Sequence, residues 1–166
     1  MVLTAVEAPP ARSDAAAIAA RALLVARRTA LGVLGDREAA DDIAQDVAVT
    51  AVRKAGTLRD PAALDAWLHR IAVRAALAEA RRGRRRQAAE VAHVEHRRVL
   101  EPDPLEGALA LLDGLPARQR AALTLRYVHD LPDDAIARAL GCRPATVRSL
   151  LSRGRDALRE TLETSR

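Results

Sequence analysis

The chain contains no phenylalanine, one tryptophan and one tyrosine. A core must therefore be assembled from Ala, Leu, Val and Ile, which favours small helices packed closely together. Alternating β-branched runs are also missing, so nothing in the pattern points to a sheet. Cys142 is the single cysteine; this excludes an intrachain disulfide and fits a reducing compartment. No segment approaches the roughly eighteen consecutive apolar residues of a membrane span, and no basic-then-apolar leader opens the chain. A cytoplasmic protein without membrane insertion is expected. Nothing reads as a catalytic triad, a phosphate loop or a paired-acid site, so no enzyme and no cofactor is expected. His93 and His96 stand in H-x-x-H spacing beside Glu95. A zinc site needs three or four converging ligands, and no cysteines accompany them; no metal site is expected.

What the chain has in abundance is arginine. The net charge is +5 and Lys54 is the only lysine. A basic balance suits a polyanionic partner. Because high Arg with high Ala also accompanies a GC-rich genome, the placement of the arginines carries more information than their number.

The placement is most telling in Leu131–Leu158, LPDDAIARALGCRPATVRSLLSRGRDAL. Pro132 suits a helix start, since an N1 proline gives up only an unpartnered N–H. Ile136 and Leu140 follow at helical spacing, and Gly141 suits a C′ residue at positive φ. Pro144 opens a second helix, with Val147, Leu150, Leu151, Gly154 and Leu158 as its buried stripe. A small residue, Ala137, before the glycine and a β-branched Val147 after it fit two helices crossing around a tight turn. This is the pattern of a DNA-binding helix-turn-helix. Arg143, Arg148, Ser149, Ser152 and Arg153 are left on the outer face, in reach of phosphates and base edges.

The remaining chain reads as helices with clear punctuation. Residues 1–12, with Pro9 and Pro10, form a tail. A first helix is expected from Ser13 as N-cap to Leu34, stopped by Gly35. Asp36 caps a second helix, whose inner side is Ile43, Val47 and Ala51, ended by Gly56. Asp60-Pro61 starts a third helix running to Arg82, with Leu64, Trp67, Leu68, Ile71 and Ala75 as its buried face and His69, Arg70, Arg74, Arg81 and Arg82 mainly outside. Residues 83–103 have a linker composition. Pro104 begins a second helical unit closed by Gly114, and Pro116 opens a helix with Ala121, Leu123, Leu125 and Val128 in its core. The expected architecture is all-α: a helical domain at 13–82, a flexible linker at 83–103 and a helix-turn-helix domain at 104–166.

Two charged surfaces stand out. Asp41, Asp42 and Asp46 with Gln45 occupy one face of the second helix. Such a face is either solvated or a dock for a basic partner. The run Arg81, Arg82, Arg84, Arg85 and Arg86 continues the face that bears Arg70 and Arg74, and a stripe along one helix is suited to a phosphate backbone.

The segments GDREAADDIAQDVAVTAVRKA and LDAWLHRIAVRAALAEARR, followed by the helix-turn-helix half, together resemble an extracytoplasmic-function sigma factor of bacterial RNA polymerase, over about residues 20 to 162. The resemblance implies that Asp41, Asp42, Gln45 and Asp46 dock on core RNA polymerase. It implies that the loop Leu58–Ala63, with Leu58 and Arg59, and the helix residues Trp67, His69, Arg70, Arg74, Arg81 and Arg82 recognise and open the promoter minus-ten element. It places Arg143, Thr146, Arg148, Ser149, Ser152 and Arg153 on the minus-thirty-five element. Promoter double-stranded DNA and core polymerase are the implied partners, with an anti-sigma factor covering these faces of an otherwise monomeric chain. The chain departs from the family pattern at Ala48 and Val52, where aromatics are common, at His69 for a tyrosine, at Arg74 for an asparagine, and at Leu150 for a basic residue. The rival readings are a helix-turn-helix regulator acting without polymerase and a degenerate sigma-like interaction protein that does not melt promoters.

Overall fold

The computed structural model describes residues 12–89 and 104–164, and these form helices and turns without a strand. The predicted tail, apart from its last residue, lies outside the described residues, as do His93, His96 and residues 90–103 of the predicted linker.

The N-terminal half has three helices: α1 (Arg12–Leu34), α2 (Arg37–Lys54) and α3 (Leu64–Ala89). Local chemistry sets their ends. The helix α1 begins at Arg12, one residue before the expected Ser13 cap. It stops at Gly35, whose φ of 68° only glycine adopts without strain. The Asp36 side chain then accepts a 2.8 Å hydrogen bond from the Ala39 N–H and caps α2. The Asp60 side chain accepts from the Ala62 N–H at 2.9 Å, with Pro61 at the first position of a short 3₁₀ turn that leads into α3.

Two sequence expectations for α3 are corrected. The helix runs through Gly83 to Ala89, past the expected stop at Arg82, so the first seven residues of the predicted linker, 83–89, are helical. Glu79 receives hydrogen bonds from Arg82 at 2.8 Å and from Arg86 at 2.5 Å, and so braces both sides of Gly83. The buried face is also turned relative to the predicted stripe. Leu68, Ala72, Val73, Ala76 and Leu77 are buried, whereas Leu64, Trp67, Ile71 and Ala75 are only partly covered. Alanines on α2 (Ala40, Ala44, Ala48, Ala51) and α3 (Ala72, Ala76) let the helices approach closely, as a core without phenylalanine requires.

The C-terminal half comprises α4 (Pro104–Ala110), α5 (Ala117–Tyr127), α6 (Asp133–Leu140) and α7 (Pro144–Thr164). Gly154 of α7 sits against α5: an added Cβ would lie 2.9 Å from Leu123 Cδ1. The two halves are not separate in space. α1 packs on α5, α3 packs on α6, and a continuous cluster of buried apolar residues spans both.

Candidate nucleic-acid interface

The turn between α6 and α7 follows from one glycine. Gly141 takes φ 63° and ψ 45°, and the N–H groups of Gly141 and Cys142 both turn back to the Ala137 carbonyl. This satisfies a carbonyl that the ended helix leaves open and turns the chain within three residues into α7. Val147, Leu150, Leu151 and Gly154 are then buried, and Leu158 is half-buried. Arg143, Thr146, Arg148, Ser149, Ser152 and Arg153 are all exposed, on the side of α7 opposite that stripe. The Arg153 Nε reaches back to the Ser149 carbonyl at 3.3 Å, and the Ser152 hydroxyl lies 3.4 Å from Asp156 Oδ2. Pro132 is the N-cap of α6 rather than its first helical residue, a shift of one position.

On α2, Asp42, Gln45 and Asp46 are exposed and so is Val49 between them and the C-terminal end. Asp41 is partly covered and accepts a 2.7 Å hydrogen bond from the Arg27 Nε of α1. That pair ties α2 to α1 and leaves the negative field of the patch to its other two aspartates.

The N-terminal basic surface is split. Arg59, Arg70, Arg74, Arg81 and Arg82 are exposed, with Arg82 paired to Glu79. Leu58 and Trp67 are half-buried, and with Arg70 they line a cleft of about 340 Å³ whose opposite wall is His129, Leu131, Ala135 and Arg138 of the C-terminal half. His69 does not lie outside the helix stripe as its position suggested. It is buried, 6% exposed, because the second half covers it. Its ring meets that of His129 edge-on, with centroids 4.7 Å apart. Burial pushes the His69 pKa down, opposed by the Asp65 carbonyl and carboxylate. Burial, His69 and the cations Arg28 and Arg21 bring His129 from 6.5 down to about 4. Arg21 holds Asp65 through two hydrogen bonds, at 2.9 and 2.8 Å, and keeps that carboxyl below its ordinary pKa.

The polar centre of this contact has a defined donor order. The Thr29 hydroxyl donates to the Val25 carbonyl at 2.8 Å and stands 2.9 Å from His129 Nε2. A hydroxyl has one hydrogen, so Nε2 carries the proton and donates to Thr29. No sequence signal joined these residues, which lie 100 positions apart. Among the described residues no cluster of His, Cys, Asp or Glu is arranged to hold a metal ion, and no helix is long and apolar enough to cross a membrane.

Two protein families match this arrangement in chain order: sigma-70 region 2 over residues 19–86 and sigma-70 region 4 over residues 105–158. The chain is 32% identical over 145 residues to the RNA polymerase sigma-H factor of Pseudomonas aeruginosa, covering 77% of this chain and 75% of that protein. It is 36% identical over 128 residues to the ECF RNA polymerase sigma factor SigM of Mycobacterium tuberculosis, spanning 75% of this chain and 65% of SigM. Among solved structures, it is similar to the sigma factor RpoE of Bartonella quintana in complex with the anti-sigma factor NepR, with a TM-score of 0.70, 25% identity, and coverage of 87% of this chain and 94% of that one. The chain belongs to the extracytoplasmic-function class of RNA polymerase sigma factors.

Proposed function

We propose that this sigma factor directs core RNA polymerase to specific promoters and helps open them, while polymerase performs all the chemistry. The observation that carries the reading is the presence, in one chain and in order, of both sigma-70 regions. A helix-turn-helix regulator acting without polymerase accounts for the second region alone. The assigned roles follow the surfaces. Asp42, Gln45 and Asp46 dock on a basic surface of core, with Asp41 bracing α2 through Arg27. The loop Leu58–Ala63 with Arg59, and Trp67, His69, Arg70, Arg74, Arg81 and Arg82 on α3, take the minus-ten element. The exposed face of α7 with Arg143, Thr146, Arg148, Ser149, Ser152 and Arg153 takes the minus-thirty-five element. The solved neighbour in complex with an anti-sigma factor supports a partner of that kind for these same faces.

The minus-ten and minus-thirty-five halves are joined through residues 90–103. These fourteen residues reach about 50 Å when fully extended. Promoter elements separated by more than one turn of DNA, at about 34–36 Å per turn, lie on the order of 50 Å apart. One chain that carries both regions lets two weak contacts add through effective concentration.

Transcription in vitro with core polymerase on genomic DNA, with starts mapped, tests the proposal. Core alone should give none of the chain-dependent starts. Arg70→Ala with Arg74→Ala should keep core binding but abolish permanganate-reactive thymines on a duplex promoter, and a template with a pre-formed mismatch bubble should restore transcription. A double mutant that melts duplex promoters as well as wild type would move the melting role off α3.

A further inference from the structure

α5 meets α1 along the seam between the two halves, and beside that seam α4, α5 and the end of α7 enclose an open groove of about 930 Å³. Leu105 and Leu109 line it from α4, Leu123 and Tyr127 from α5, and Leu158 and Leu162 from α7. Water takes about 30 Å³ per molecule, so the groove holds on the order of thirty waters against leucine, and covering it is favourable. The apolar stripe of α7 outruns its own domain. Leu151 is 3% exposed, Leu158 is half-buried and Leu162 is 51% exposed. Residues 159–164 are all exposed, and unsupported turns at a helix end gain little from propensity alone. They lie beyond the six residues of α7 assigned to DNA.

We propose that the occupant of this groove is a second copy of the chain: two α7 ends lie antiparallel about a two-fold axis, each filling the other's groove. The charges on the groove side of α7 select this occupant. Arg155, Leu158, Arg159, Leu162 and Glu163 follow at i, i+3, i+4, i+7 and i+8 and form one face. Arg159 is paired with Asp156 at 3.2 Å. Among the described residues Arg155 and Glu163 have no ion-pair partner, and eight residues of helix hold them about 12 Å apart, too far to pair with each other. An antiparallel copy removes that distance. With Leu158 set opposite Leu162 of the second copy, Glu163 falls between the second copy's Arg155 and Arg159, and the two-fold axis repeats every contact. A parallel copy would set Arg155 on Arg155 and Glu163 on Glu163, like charge on like. The contact is small, so the dilute chain is monomeric, with pairing on the order of tens of micromolar.

Sedimentation equilibrium of the full chain, over concentrations that span the expected dissociation constant, tests the pairing. The mass should rise from one chain to two. Arg155→Glu sets acid against acid at both symmetric contacts, and Glu163→Arg sets base against base. Each alone should raise the dimer dissociation constant about tenfold. Mixed in equal amounts, the two variants should pair with each other nearly as well as wild type, because positions 155 and 163 are again acid against base at both contacts. The chain carrying both reversals should regain most of its self-association for the same reason. Leu162→Asp should abolish pairing. All three positions are exposed, so circular dichroism should not change, and rescue on mixing shows that the reversed chains are folded. A single-chain mass at every concentration would overturn the proposal; failure of Leu162→Asp to co-purify with core polymerase would then give the groove to polymerase. A dimer that both reversals leave intact, or that mixing does not rescue, would overturn the antiparallel register and the proposal with it.

Discussion

The two surfaces proposed to face DNA in this protein are built on different terms. On α7 all six residues assigned to the minus-thirty-five element are exposed, on a helix whose opposite side is anchored by Val147, Leu151 and Gly154. On α3 the surface is divided: Arg70 and Arg74 are exposed, while His69 is buried and Trp67 is half-covered by the other half of the chain. A recognition face of the first kind is complete once its own domain folds. A face of the second kind is set by which partner occupies it, so its activity is a matter of population as well as contact.

A third surface, the α2 patch, behaves like α7 in being open, and substitutions there should have the largest effect. Asp42→Arg with Gln45→Ala sets a positive charge against the proposed basic dock, and like charges at a desolvated contact cost on the order of several kcal/mol. Co-purification with core polymerase should be lost while circular dichroism stays unchanged. Wild-type co-purification by the folded variant would remove α2 from the dock and leave both open and covered surfaces to DNA.

The α7 face should respond next. Arg148→Ala and Arg153→Ala should each weaken binding to a minus-thirty-five duplex. A residue that reads a base edge should cost about 1–3 kcal/mol and change preference at one position; a residue that meets only phosphate should lower affinity evenly and reduce the salt slope by about one. Because the face is already open, neither loss should depend on Gly32→Ala, which drives a methyl into Thr124 across the seam between the halves. If opening the seam changes duplex binding through α7, the division between an open and a covered surface is drawn in the wrong place.

What was legible in the sequence follows the same division. Asp36, Asp60, Gly35 and Gly141 act on their immediate neighbours, and their capping and turn chemistry is written within a few residues. The outer face of α7 is legible for the same reason, because a helix of known stripe has a known back. The continuation of α3 past Gly83 was not. It depends on Glu79 gripping Arg82 and Arg86, whereas a run of like charge after glycine reads as a helix end. Burial of His69 was not legible either, because His129, Leu131 and Ala135 arrive from the other half. Periodicity within α3 reports one buried face, and this helix is covered on a second side.

The covered surface should show itself in a pH dependence that the open one lacks. His129 is held neutral with a pKa of about 4 against 6.5 when freed, and His69 is lowered in the same direction. The opened or unfolded chain therefore binds more protons than the closed one between these values, and the histidines' contribution to stability falls as pH falls from about 6.5 to 4. Arg21, Arg28 and Arg138 add to the repulsion of a charged ring. Asp65, lowered by Arg21, and Glu79, lowered by Arg82 and Arg86, carry the loss on to lower pH as they protonate. For His129, allowing for its partly exposed edge, the loss should be about 2 kcal/mol in urea denaturation. His129→Gln, which removes the titrating group, should flatten most of that slope, and an unchanged slope would place the titrating group outside the seam.

The smallest effect should come from glycine, and it separates the two halves most cleanly. Gly141 and Gly32 are both replaced by alanine with opposite physics. Gly141 stands at φ 63° with nothing within 4 Å of an added Cβ, so its cost is purely that of holding an L-residue in the left-handed region, about 1–2 kcal/mol. Gly32 lies in a helix, where alanine is favoured, and its only penalty is the collision with Thr124 across the seam. Gly141→Ala should therefore lower thermal stability and weaken duplex binding through α7, with quenching of Trp67 by acrylamide unchanged; Gly141→Asn should lose less, since asparagine tolerates that conformation better. Gly32→Ala should do the reverse, exposing Trp67 and leaving the α6–α7 turn intact. If both variants moved Trp67 together, the halves would form one cooperative unit, and the seam would be part of the folded core instead of a contact that opens.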